Sequence, residues 1–584
     1  MVSDTNIKSI YMKTKILKQK SSLLSVAVIN GDYIFKCISV IMLVLAGFNL
    51  PLKAQDVVDA TTMTNKVMAG YQGWFRTPGD RPENTGWAHV FNSAVPTPAK
   101  LAFDTWPDMS ELGADEKYPV PGFTNPDGSQ AYLYSAQNPK TVLRHFQWMK
   151  QYGIDGVWLS EFCGHFPGGR QESDTTGMLT IMRNVRSAAS QTGRTWAFMW
   201  DMSGLPGASA HDVILNQWKK MVDQGITSDP RYMHQNGKPV LLIWGFFPDR
   251  PGSQPEFCKS LVDFLEAPGK YQAALVGGVD PTWRQAGTPE FQAMLMTMTA
   301  LQPWSVGRVI KDPATGYKIQ NTTLWAGDIE KCKANNVMFI PVFNSGTHIA
   351  GPPPIPPAVP VVPRRNGNYL WEQFVAASKT GTINSAFIAM FDEINEGTQI
   401  MKIENNPPTQ APFLTYDGAT SDYYLRLVGL GAKMLKNHVT ITPTIPISPF
   451  NPDKSYQIKN RTSGSALSDE KKNATGVTLA AITPNDKNLD WQLIYDGNGY
   501  FKIKNKSSGK VLAASGSADV NQVKDSNADN VKWHLEWDGT SYCRIINKAS
   551  GKAISSNTLT APNAAVAQVT DASLDDLRWK ITQQ

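Results

Sequence analysis

Between residues 66 and 436, short apolar runs alternate with longer amphipathic stretches such as Pro139–Tyr152 and Pro255–Leu265. Strands that are buried on both faces read as continuous apolar runs, and alternation of strands with helices is typical of a parallel sheet. The runs that we predict to be strands are Val67–Tyr71, Gly156–Leu159, Thr195–Trp200, Pro239–Trp244, Ala273–Gly277, Val337–Phe343 and Ala386–Met390.

These seven runs leave the pattern one strand short of a closed barrel. We take Ala102–Asp104 as the missing strand, second in chain order, and Trp304–Gly307 is the alternative. The predicted fold class is therefore α/β, a (β/α)8 TIM barrel with long loops over residues 55–437. An open doubly wound sheet is the other possibility, but no glycine-rich phosphate loop follows the first run.

Beyond residue 437 the pattern changes to short alternating segments that repeat three times. Each repeat contains an Asn-x-x-Ser-Gly turn and closes with a tryptophan, and these tryptophans are 42 and then 46 residues apart. The repeats begin at Tyr456, Phe501 and Cys543 and close at Trp491, Trp533 and Trp579. Because no single repeat can bury its own apolar face, we predict an all-β β-trefoil over residues 453–584. The Pro- and Thr-rich residues 438–452 are predicted to be a linker.

The N-terminus has the composition of an export signal. Several lysines precede the apolar run Cys37–Leu50, and small Ala54 follows it. The run is shorter than the roughly 20 residues that a membrane-spanning helix needs. We therefore predict that residues 1–54 are a signal peptide and that the protein is secreted, periplasmic or held at the cell surface. An uncleaved signal anchor is the alternative.

Composition narrows the class of partner. The 584 residues carry a formal charge of only +6, so nucleic acid is not an expected partner. The 17 Trp and 18 Tyr residues suit sugar rings, whose C–H faces stack on aromatic rings. No cysteine or histidine cluster has metal-ligand spacing, so we expect neither a metal nor a cofactor. The expected partner is a polysaccharide or oligosaccharide, and the expected state is a monomer without stable membrane insertion after signal cleavage.

The strongest candidate chemistry follows the last barrel run. Glu393 and Glu396 stand three residues apart, just after Ala386–Met390 and before a turn at Gly397. Barrel enzymes place their catalytic groups at the C-terminal ends of strands, and glycosidases use a pair of carboxyl groups. A charged turn that only solvates a loop is the alternative for the same residues. We predict that Glu393 and Glu396 are the catalytic pair.

Other polar and aromatic residues follow the predicted strand ends and would face the same cleft. Each could contact a sugar or could instead stabilise its own loop. These candidate substrate-binding residues are Tyr71, Trp74, Trp158, Glu161, Asp201, Asp280, Trp283, Arg284, His348 and Asp392.

The C-terminal repeats resemble the ricin-type lectin β-trefoil, through their Asn-x-x-Ser-Gly turns and closing tryptophans. This resemblance implies a carbohydrate-binding module. In that family a carboxylate often follows the Leu or Ile after the Ser-Gly turn, whereas this chain has Ser468, Ala513 and Ser555 there.

Residues 66–436 resemble the glycoside hydrolase family 71/99-like proteins, which are related to the endo-α-mannosidases. The matching segments include Val67–Phe75, Gly156–Phe162, the Trp200–Gly204 turn, Pro281–Arg284 and the Glu-x-x-Glu-Gly-Thr motif that starts at Glu393. The chain departs from that group at Phe391-Asp392, where Trp-Asn is usual, and at Ile394, where an aromatic residue is usual.

The resemblance implies a retaining reaction. Glu393 would deprotonate the sugar 2-hydroxyl, which attacks the anomeric carbon, and Glu396 would serve as acid and base at the glycosidic oxygen. The residues alone leave direct nucleophilic attack and inversion open as well. We therefore expect a secreted glycoside hydrolase that acts on an α-mannoside or another glycan. The alternatives are a xylan- or arabinan-type glycosidase with the same pair, or a non-catalytic surface glycan-binding protein.

Overall fold

The structure is a computed structural model of the chain. It describes residues 57–168, 175–203, 205, 209–250, 255–347, 362–469, 476–556, 565–570 and 575–584. The predicted signal peptide and His348 lie outside these residues. Among the described helices, none combines the length and the apolar character that a bilayer crossing requires.

The first part of the chain forms a parallel sheet that curls into a barrel. Its strands are β1 Val67–Tyr71, β4 Gly156–Phe162, β5 Thr195–Asp201, β7 Lys238–Phe246, β8 Ala274–Val279, β9 Ala300–Pro303, β12 Met338–Phe339, β13 Val342–Asn344 and β14 Ala386–Ala389. Neighbours pair in the order β12, β9, β8, β7, β5, β4, β1, β14, β13. The short strand β6 His234–Gln235 pairs antiparallel with β7. Both ends of this order belong to one short segment, residues 338–344, so the sheet closes on itself with eight strand positions. The predicted (β/α)8 barrel is confirmed.

The seventh strand position is split in two where a single run was predicted. Met338 and Phe339 pair with β9, whereas Val342 to Asn344 pair with β14. Pro341 lies between the two pieces and has no N–H to donate, which interrupts the hydrogen-bond ladder.

The choice of Ala102–Asp104 as a barrel strand is wrong. Phe103 of that segment lies in an aromatic cluster with Trp106 and Phe413, at centroid distances of 5.6 and 5.7 Å. The missing strand is β9, which ends directly before the alternative candidate Trp304. Every residue of β9 is buried, including Gln302. Because Gln302 is polar and Pro303 ends the strand, β9 does not appear in the sequence as a continuous apolar run. Glu161 and Trp158 consequently belong to the second strand position rather than the third.

Helices surround the barrel sheet. They are α1 Pro139–Tyr152, α2 Thr175–Thr192, α3 Ser209–Asp223, α4 Pro255–Glu266, α5 Pro289–Leu295, α6 Trp325–Ala334, α7 Asn368–Lys379 and α8 Tyr423–Leu435. The residues at the two ends of α1 explain where this helix begins and ends. Asn138 caps the backbone N–H of Lys140, Pro139 takes the first turn, and Gly153 ends the helix with a left-handed φ of 77°.

Two hairpins extend the barrel loops. One consists of β2 Tyr118–Thr124 and β3 Gln130–Leu133, between β1 and α1. The other consists of β10 Val309–Lys311 and β11 Lys318–Gln320, between β9 and α6. Both therefore lie in connections that leave the C-terminal ends of barrel strands.

The remaining strands form the predicted β-trefoil. They are β15 Tyr456–Asn460, β16 Ala466–Asp469, β17 Val477–Ala480, β18 Trp491–Tyr495, β19 Phe501–Asn505, β20 Val511–Ser515, β21 Asp519–Val523, β22 Trp533–Trp537, β23 Cys543–Asn547, β24 Ala553–Ser555, β25 Ala567–Val569 and β26 Trp579–Gln583. Each closing tryptophan is buried and donates its indole N–H to a backbone carbonyl of its own repeat. The acceptors are Leu467, Leu512 and Ile554.

The three repeats are joined in a ring by their turn asparagines. Each side-chain amide donates to a backbone carbonyl of the preceding repeat, and Asn460 of the first repeat reaches Asp576 of the third at 2.8 Å. Pairing of β15 with β26 completes the ring. As a result Ser455 and Gln584 are neighbours, with a backbone hydrogen bond of 2.9 Å.

The described residues from 57 to 584 belong to one compact unit. The segment predicted as a linker runs along the barrel. Trp371 of α7 donates to the carbonyl of Thr442 at 2.9 Å, and Arg426 of α8 donates to that of Ser448 at 3.3 Å. On the trefoil side, the Tyr495 hydroxyl donates to the carbonyl of Ile445.

Candidate active site

The Glu-x-x-Glu-Gly-Thr motif forms a closed loop at the C-terminal end of β14. Backbone hydrogen bonds from Met390 to the carbonyl of Thr398 and from Ile400 to that of Met390 close the base of the loop. Phe391 donates to the carbonyl of Gly70 at 2.8 Å, which joins the loop to the end of β1. The two glutamates thus stand on the rim of the barrel where its parallel strands end.

Glu393 lies almost wholly inside the protein, with 7% of its surface exposed. Its Oε1 accepts a hydrogen bond from Gln72 Nε2 at 2.9 Å, and its Oε2 accepts one from the Thr398 hydroxyl at 2.6 Å. Both donors favour the carboxylate form. Burial and the negative charge of Glu396 outweigh them and raise the pKa of Glu393 to about 8.

Glu396 is half-buried, and this burial raises its pKa above the ordinary value of 4.5. Its charge acts on Glu393, so the two carboxyl groups titrate as an interacting pair. Two carboxyl groups that disfavour simultaneous ionisation share a proton near neutral pH. This is the state that acid–base chemistry requires.

Asp392, predicted to bind substrate, holds the loop after β1 in place through hydrogen bonds. It is fully buried, and its two carboxylate oxygens accept the backbone N–H groups of Gln72 and Gly73, each at 2.8 Å. Burial raises the pKa of Asp392 to about 6 in spite of these donors. Asp392 thereby holds Gln72 where its amide reaches Glu393.

A buried arginine supports the far side of the motif. Arg364 donates to the carbonyls of Gly397 and Gln399, each at 2.8 Å. Its guanidinium group also lies over the rings of Tyr416 and Tyr424, at 5.1 and 4.6 Å. A rigid, delocalised cation held by two rings and two carbonyls fixes the backbone that follows Glu396.

Aromatic rings and a carboxyl–imidazole contact lie on the neighbouring rim, after β1 and β4. Trp74 is stacked between His89 and Phe162, with centroid distances of 4.2 and 5.9 Å and ring planes within 7°. Glu161 contacts His165 Nδ1 at 2.5 Å. Burial lowers the pKa of His89 to about 4, so this ring is neutral at physiological pH.

Asp201 is the candidate at the end of β5. It accepts a hydrogen bond from the backbone N–H of Ser203 at 2.7 Å, and burial raises its pKa. The positive charge of Arg250, which lies over the ring of Trp244 at 4.9 Å, partly offsets this effect. Trp74, Glu161 and Asp201 therefore remain candidate substrate contacts.

The other candidates have structural roles here. Tyr71 is fully buried and its hydroxyl contacts His145 Nδ1 at 2.9 Å, while Trp158 is 2% exposed and lies near Phe387. Asp280 accepts hydrogen bonds from the N–H and hydroxyl of Thr282 in its own turn.

Trp283 and Arg284 also belong to the framework of their loop. Trp283 is 1% exposed, and Arg284 pairs with buried Asp328 of α6 at 2.6 Å. All five residues, Tyr71, Trp158, Asp280, Trp283 and Arg284, make contacts within the protein framework, and their role in substrate binding stays a prediction. His348 lies outside the described residues.

Three residues of the site were not singled out from the sequence: Gln72, Thr398 and Arg364. Gln72 and Thr398 lie inside segments that carry the family resemblance, but their hydrogen bonds to Glu393 depend on the fold. Gln72 is 321 positions from Glu393 in the chain, and only the pairing of β1 with β14 brings them together. No sequence signal marks Arg364.

Comparison with known proteins agrees with the C-terminal fold. Residues 447–523 and 487–569 match a family model described as ricin-type beta-trefoil lectin domain-like. The C-terminal part of the chain has the β-trefoil fold and is similar to the ricin-type lectin family over these residues. Among solved structures, this ricin-type trefoil is similar to the designed threefold-symmetric protein ThreeFoil, at 29% identity and a TM-score of 0.22, over 23% of this chain and 100% of that one. It is also similar to a ricin B-like lectin from Macrolepiota procera in complex with lactose, at 17% identity and a TM-score of 0.21, over 23% of this chain and 98% of that one.

The barrel has a solved relative as well. It is similar to the GH99 endo-alpha-mannosidase from Bacteroides thetaiotaomicron, at 17% identity and a TM-score of 0.48, over 64% of this chain and 99% of that one. No curated protein matches the chain.

Proposed function

We propose that the chain is a glycoside hydrolase in which Glu393 and Glu396 are the acid–base pair. The observation that carries the proposal is the pair of glutamates, one buried and one half-buried, on the rim of a (β/α)8 barrel, where the charge of Glu396 helps to raise the pKa of Glu393. Glycosidases need one carboxylic acid to protonate the leaving oxygen and one carboxylate to act at the sugar, and this pair supplies both forms near neutral pH.

The two glutamates differ in their surroundings, and this bears on their roles. Glu393 is nearly fully buried and has a pKa of about 8, so it holds the shared proton before substrate binds. Glu396 is half-buried, and burial raises its pKa as well. This distribution favours Glu393 as the proton donor to the leaving group. The family resemblance implies the opposite assignment, with Glu396 at the glycosidic oxygen.

Kinetics on substrates with good leaving groups distinguish the two assignments. A variant that lacks the general acid still cleaves dinitrophenyl glycosides, because their leaving groups need no protonation. We expect Glu393→Gln and Glu396→Gln each to lower turnover of a natural glycan by about 10³-fold or more, in the range typical of lost acid–base catalysis combined with lost charge stabilisation. The acid variant alone keeps near-native turnover of the dinitrophenyl glycoside of the same sugar.

The experiment begins with a screen of the exported protein against mannans, xylans and glucans. Glu330→Gln is the matched control, because Glu330 is an exposed residue of α6. Wild-type turnover by either site variant on the glycan that the native protein cleaves would overturn the proposal. So would an equal loss in Glu330→Gln.

We further propose that residues 1–54 direct export and that the ricin-type trefoil attaches the enzyme to its polymer. The positions that often hold a carboxylate in this family are buried here: Ser468, Ala513 and Ser555. Ser555 donates its hydroxyl to Asp576. Attachment would therefore use other surfaces of the trefoil. Co-sedimentation of the inactive double variant with insoluble mannan and xylan tests this role, and no retention on either polymer would contradict it.

A further inference from the structure

A groove separate from the glutamate pair lies on the barrel, between the β2–β3 hairpin and the segment that follows the loop of the two glutamates. It encloses about 600 Å³, within the roughly 300–1,000 Å³ range of small-molecule sites. The residues that line it include Trp106, Lys117, Asn125, Tyr132, Glu404 and Asn406. Glu393, Glu396 and Gln72 are not among its lining residues.

The walls of the groove are fixed to each other by hydrogen bonds. Glu404 donates its backbone N–H to the carbonyl of Trp106 at 2.7 Å, and the Trp106 indole donates to the carbonyl of Tyr132 at 3.1 Å. The amide of Gln410 donates to the Thr124 hydroxyl at 2.7 Å and accepts from the Thr124 N–H at 3.1 Å. Because both walls are tied, binding there needs little ordering of the protein.

Hydrogen-bond donors and acceptors both line this groove. Among the described residues, the side chains of Lys117, Tyr132 and Asn406 have no hydrogen-bond partner. They offer an ammonium donor, a hydroxyl and an amide. Glu404 adds a carboxylate, one oxygen of which accepts the N–H of Asn406 at 2.9 Å. Such a set suits a ligand rich in hydroxyl groups, which donates and accepts at every position.

The charged and apolar residues of the groove restrict the chemical class of the ligand further. Lys117 is opposed by Glu404 and Asp127, so an anionic ligand would meet more negative than positive charge. Met109 and Tyr132, which are partly exposed, supply an apolar surface against which C–H groups can pack, above the buried Trp106 and Pro107. A neutral, polyhydroxylated chain with apolar ring faces satisfies both conditions, and an oligosaccharide has this chemistry.

We propose that this groove is a second glycan-binding site, which holds a neutral stretch of the polymer beside the catalytic loop. Glu404 lies eleven positions after Glu393 on the segment that leaves β14, so groove and glutamate pair share one stretch of chain. A polymer bound in the groove is thereby attached to the same domain that carries the glutamate pair. The choice of a glycan as ligand rests on the proposed function.

The test measures binding without turnover. The full chain that carries both Glu393→Gln and Glu396→Gln is titrated calorimetrically with mannohexaose, xylohexaose, cellohexaose and maltohexaose. In this background we expect Lys117→Ala, Asn406→Ala and Tyr132→Ala each to weaken one binding phase by about tenfold, as loss of a good hydrogen bond or ring contact does. A second phase that belongs to the trefoil keeps its affinity.

Asn335→Ala and Tyr271→Ala are the controls, because they make the same changes in helix-end and loop residues outside the groove. Lys117→Ala and Asn406→Ala remove only partly or fully exposed side chains, so the result does not depend on the folding of Tyr132→Ala. Absence of binding to all four sugars, or equal affinities across groove variants and controls, would overturn the proposal. Because the titration uses an inactive protein, a failure of the hydrolase proposal shows separately, as absence of cleavage by the native chain.

Discussion

At the scale of single residues, Glu393 is held in a balance of opposed effects. The Gln72 amide and the Thr398 hydroxyl stabilise its charge, whereas burial and Glu396 destabilise it more strongly. A carboxyl group whose pKa is raised in the folded state favours folding less as it ionises. The glutamate pair therefore costs stability at neutral and alkaline pH, as is common for functional sites.

Glu393→Gln is expected to gain stability relative to the native protein as pH rises. The pKa of Glu393 is about 8 in the fold and near 4.5 when unfolded, so the native protein loses stability between these two values. The neutral amide does not titrate. We expect the variant to gain on the order of 3 kcal/mol relative to native between pH 5 and pH 8. Urea unfolding at both pH values measures it, and a relative gain on acidification would contradict the raised pKa.

Thr398→Val is expected to shift the pH dependence of activity. Loss of its hydroxyl removes a donor that lowers the pKa of Glu393, so that pKa rises further. The alkaline limb of kcat/KM then moves to higher pH, by about half a unit to one unit for one hydrogen bond.

Thr105→Val is the matched control for this measurement. Thr105 donates to the carbonyl of Ile394 in the same loop and contacts neither carboxylate. The alkaline limb of kcat/KM in Thr105→Val should stay at the same pH as in the native protein. A shift of the limb to lower pH in Thr398→Val, or the same shift in both variants, would contradict the assigned role.

At the scale of elements, the site depends on the pairing of β1 with β14. This pairing brings together chain segments more than 300 residues apart, and Asp392 fastens them through two backbone N–H groups. The sequence predicted both strands because each is a continuous apolar run. It could not predict the fastening, since an aspartate next to two glutamates looks like one more site residue.

Asp392→Asn is expected to destabilise the fold and to lower turnover. Its amide NH₂ would face one of the two N–H donors, which leaves a buried donor without an acceptor. We expect a loss of about 1–3 kcal/mol in the free energy of unfolding. Turnover falls with it, because Gln72 no longer holds its place beside Glu393.

Asp312→Asn provides the comparison, since Asp312 accepts a backbone N–H from Ala314 in an exposed turn of the β10–β11 hairpin. Its cost should stay below about 0.5 kcal/mol, as for most surface changes. Equal costs for the two variants in chemical denaturation would show that Asp392 is not a fastening.

The same scale shows where sequence patterns fail for strands. Six of the seven predicted runs became single strands with small differences at their ends. The run Val337–Phe343 split at Pro341, and β9 escaped because Gln302 interrupts its four residues. Barrel closure supplies neighbours on both sides of β9, and these pair a segment whose composition alone is a weak indication.

At the scale of the whole molecule, trefoil and barrel are in direct contact. In the β22–β23 turn, a methyl group at Gly539 would overlap the ring of Pro363. Pro363 immediately precedes Arg364, which supports the catalytic loop. The trefoil therefore contacts Pro363, the residue next to the arginine that holds the loop of the two glutamates.

Gly539→Ala tests this contact, with Gly497→Ala as a closely matched control. Both glycines have a φ of 85° in equivalent turns, but a methyl group at Gly497 meets nothing within 4 Å. The left-handed backbone penalises both alanines alike. Gly539→Ala should lose about 1–3 kcal/mol more through overpacking, and should also lower turnover.

Thermal unfolding and steady-state kinetics on the two variants separate the possibilities. Equal melting temperatures and equal turnover would mean that the β22–β23 turn does not support the site. A larger loss in Gly497→Ala would contradict the contact altogether.

The closed ring of repeats has a consequence for how this module can be rebuilt. Asn505 bonds to the first repeat and Asn547 to the second, and Asn460 bonds in the same way to the third. Each repeat is therefore joined to its neighbour by the same kind of hydrogen bond, and none has the special position of a chain start. A short peptide bridge from Gln584 to Ser455, with new termini opened at another turn, would preserve every amide and indole hydrogen bond. Circularly permuted trefoils should thus fold with native near-ultraviolet dichroism, and graft onto other catalytic modules at a different point of attachment.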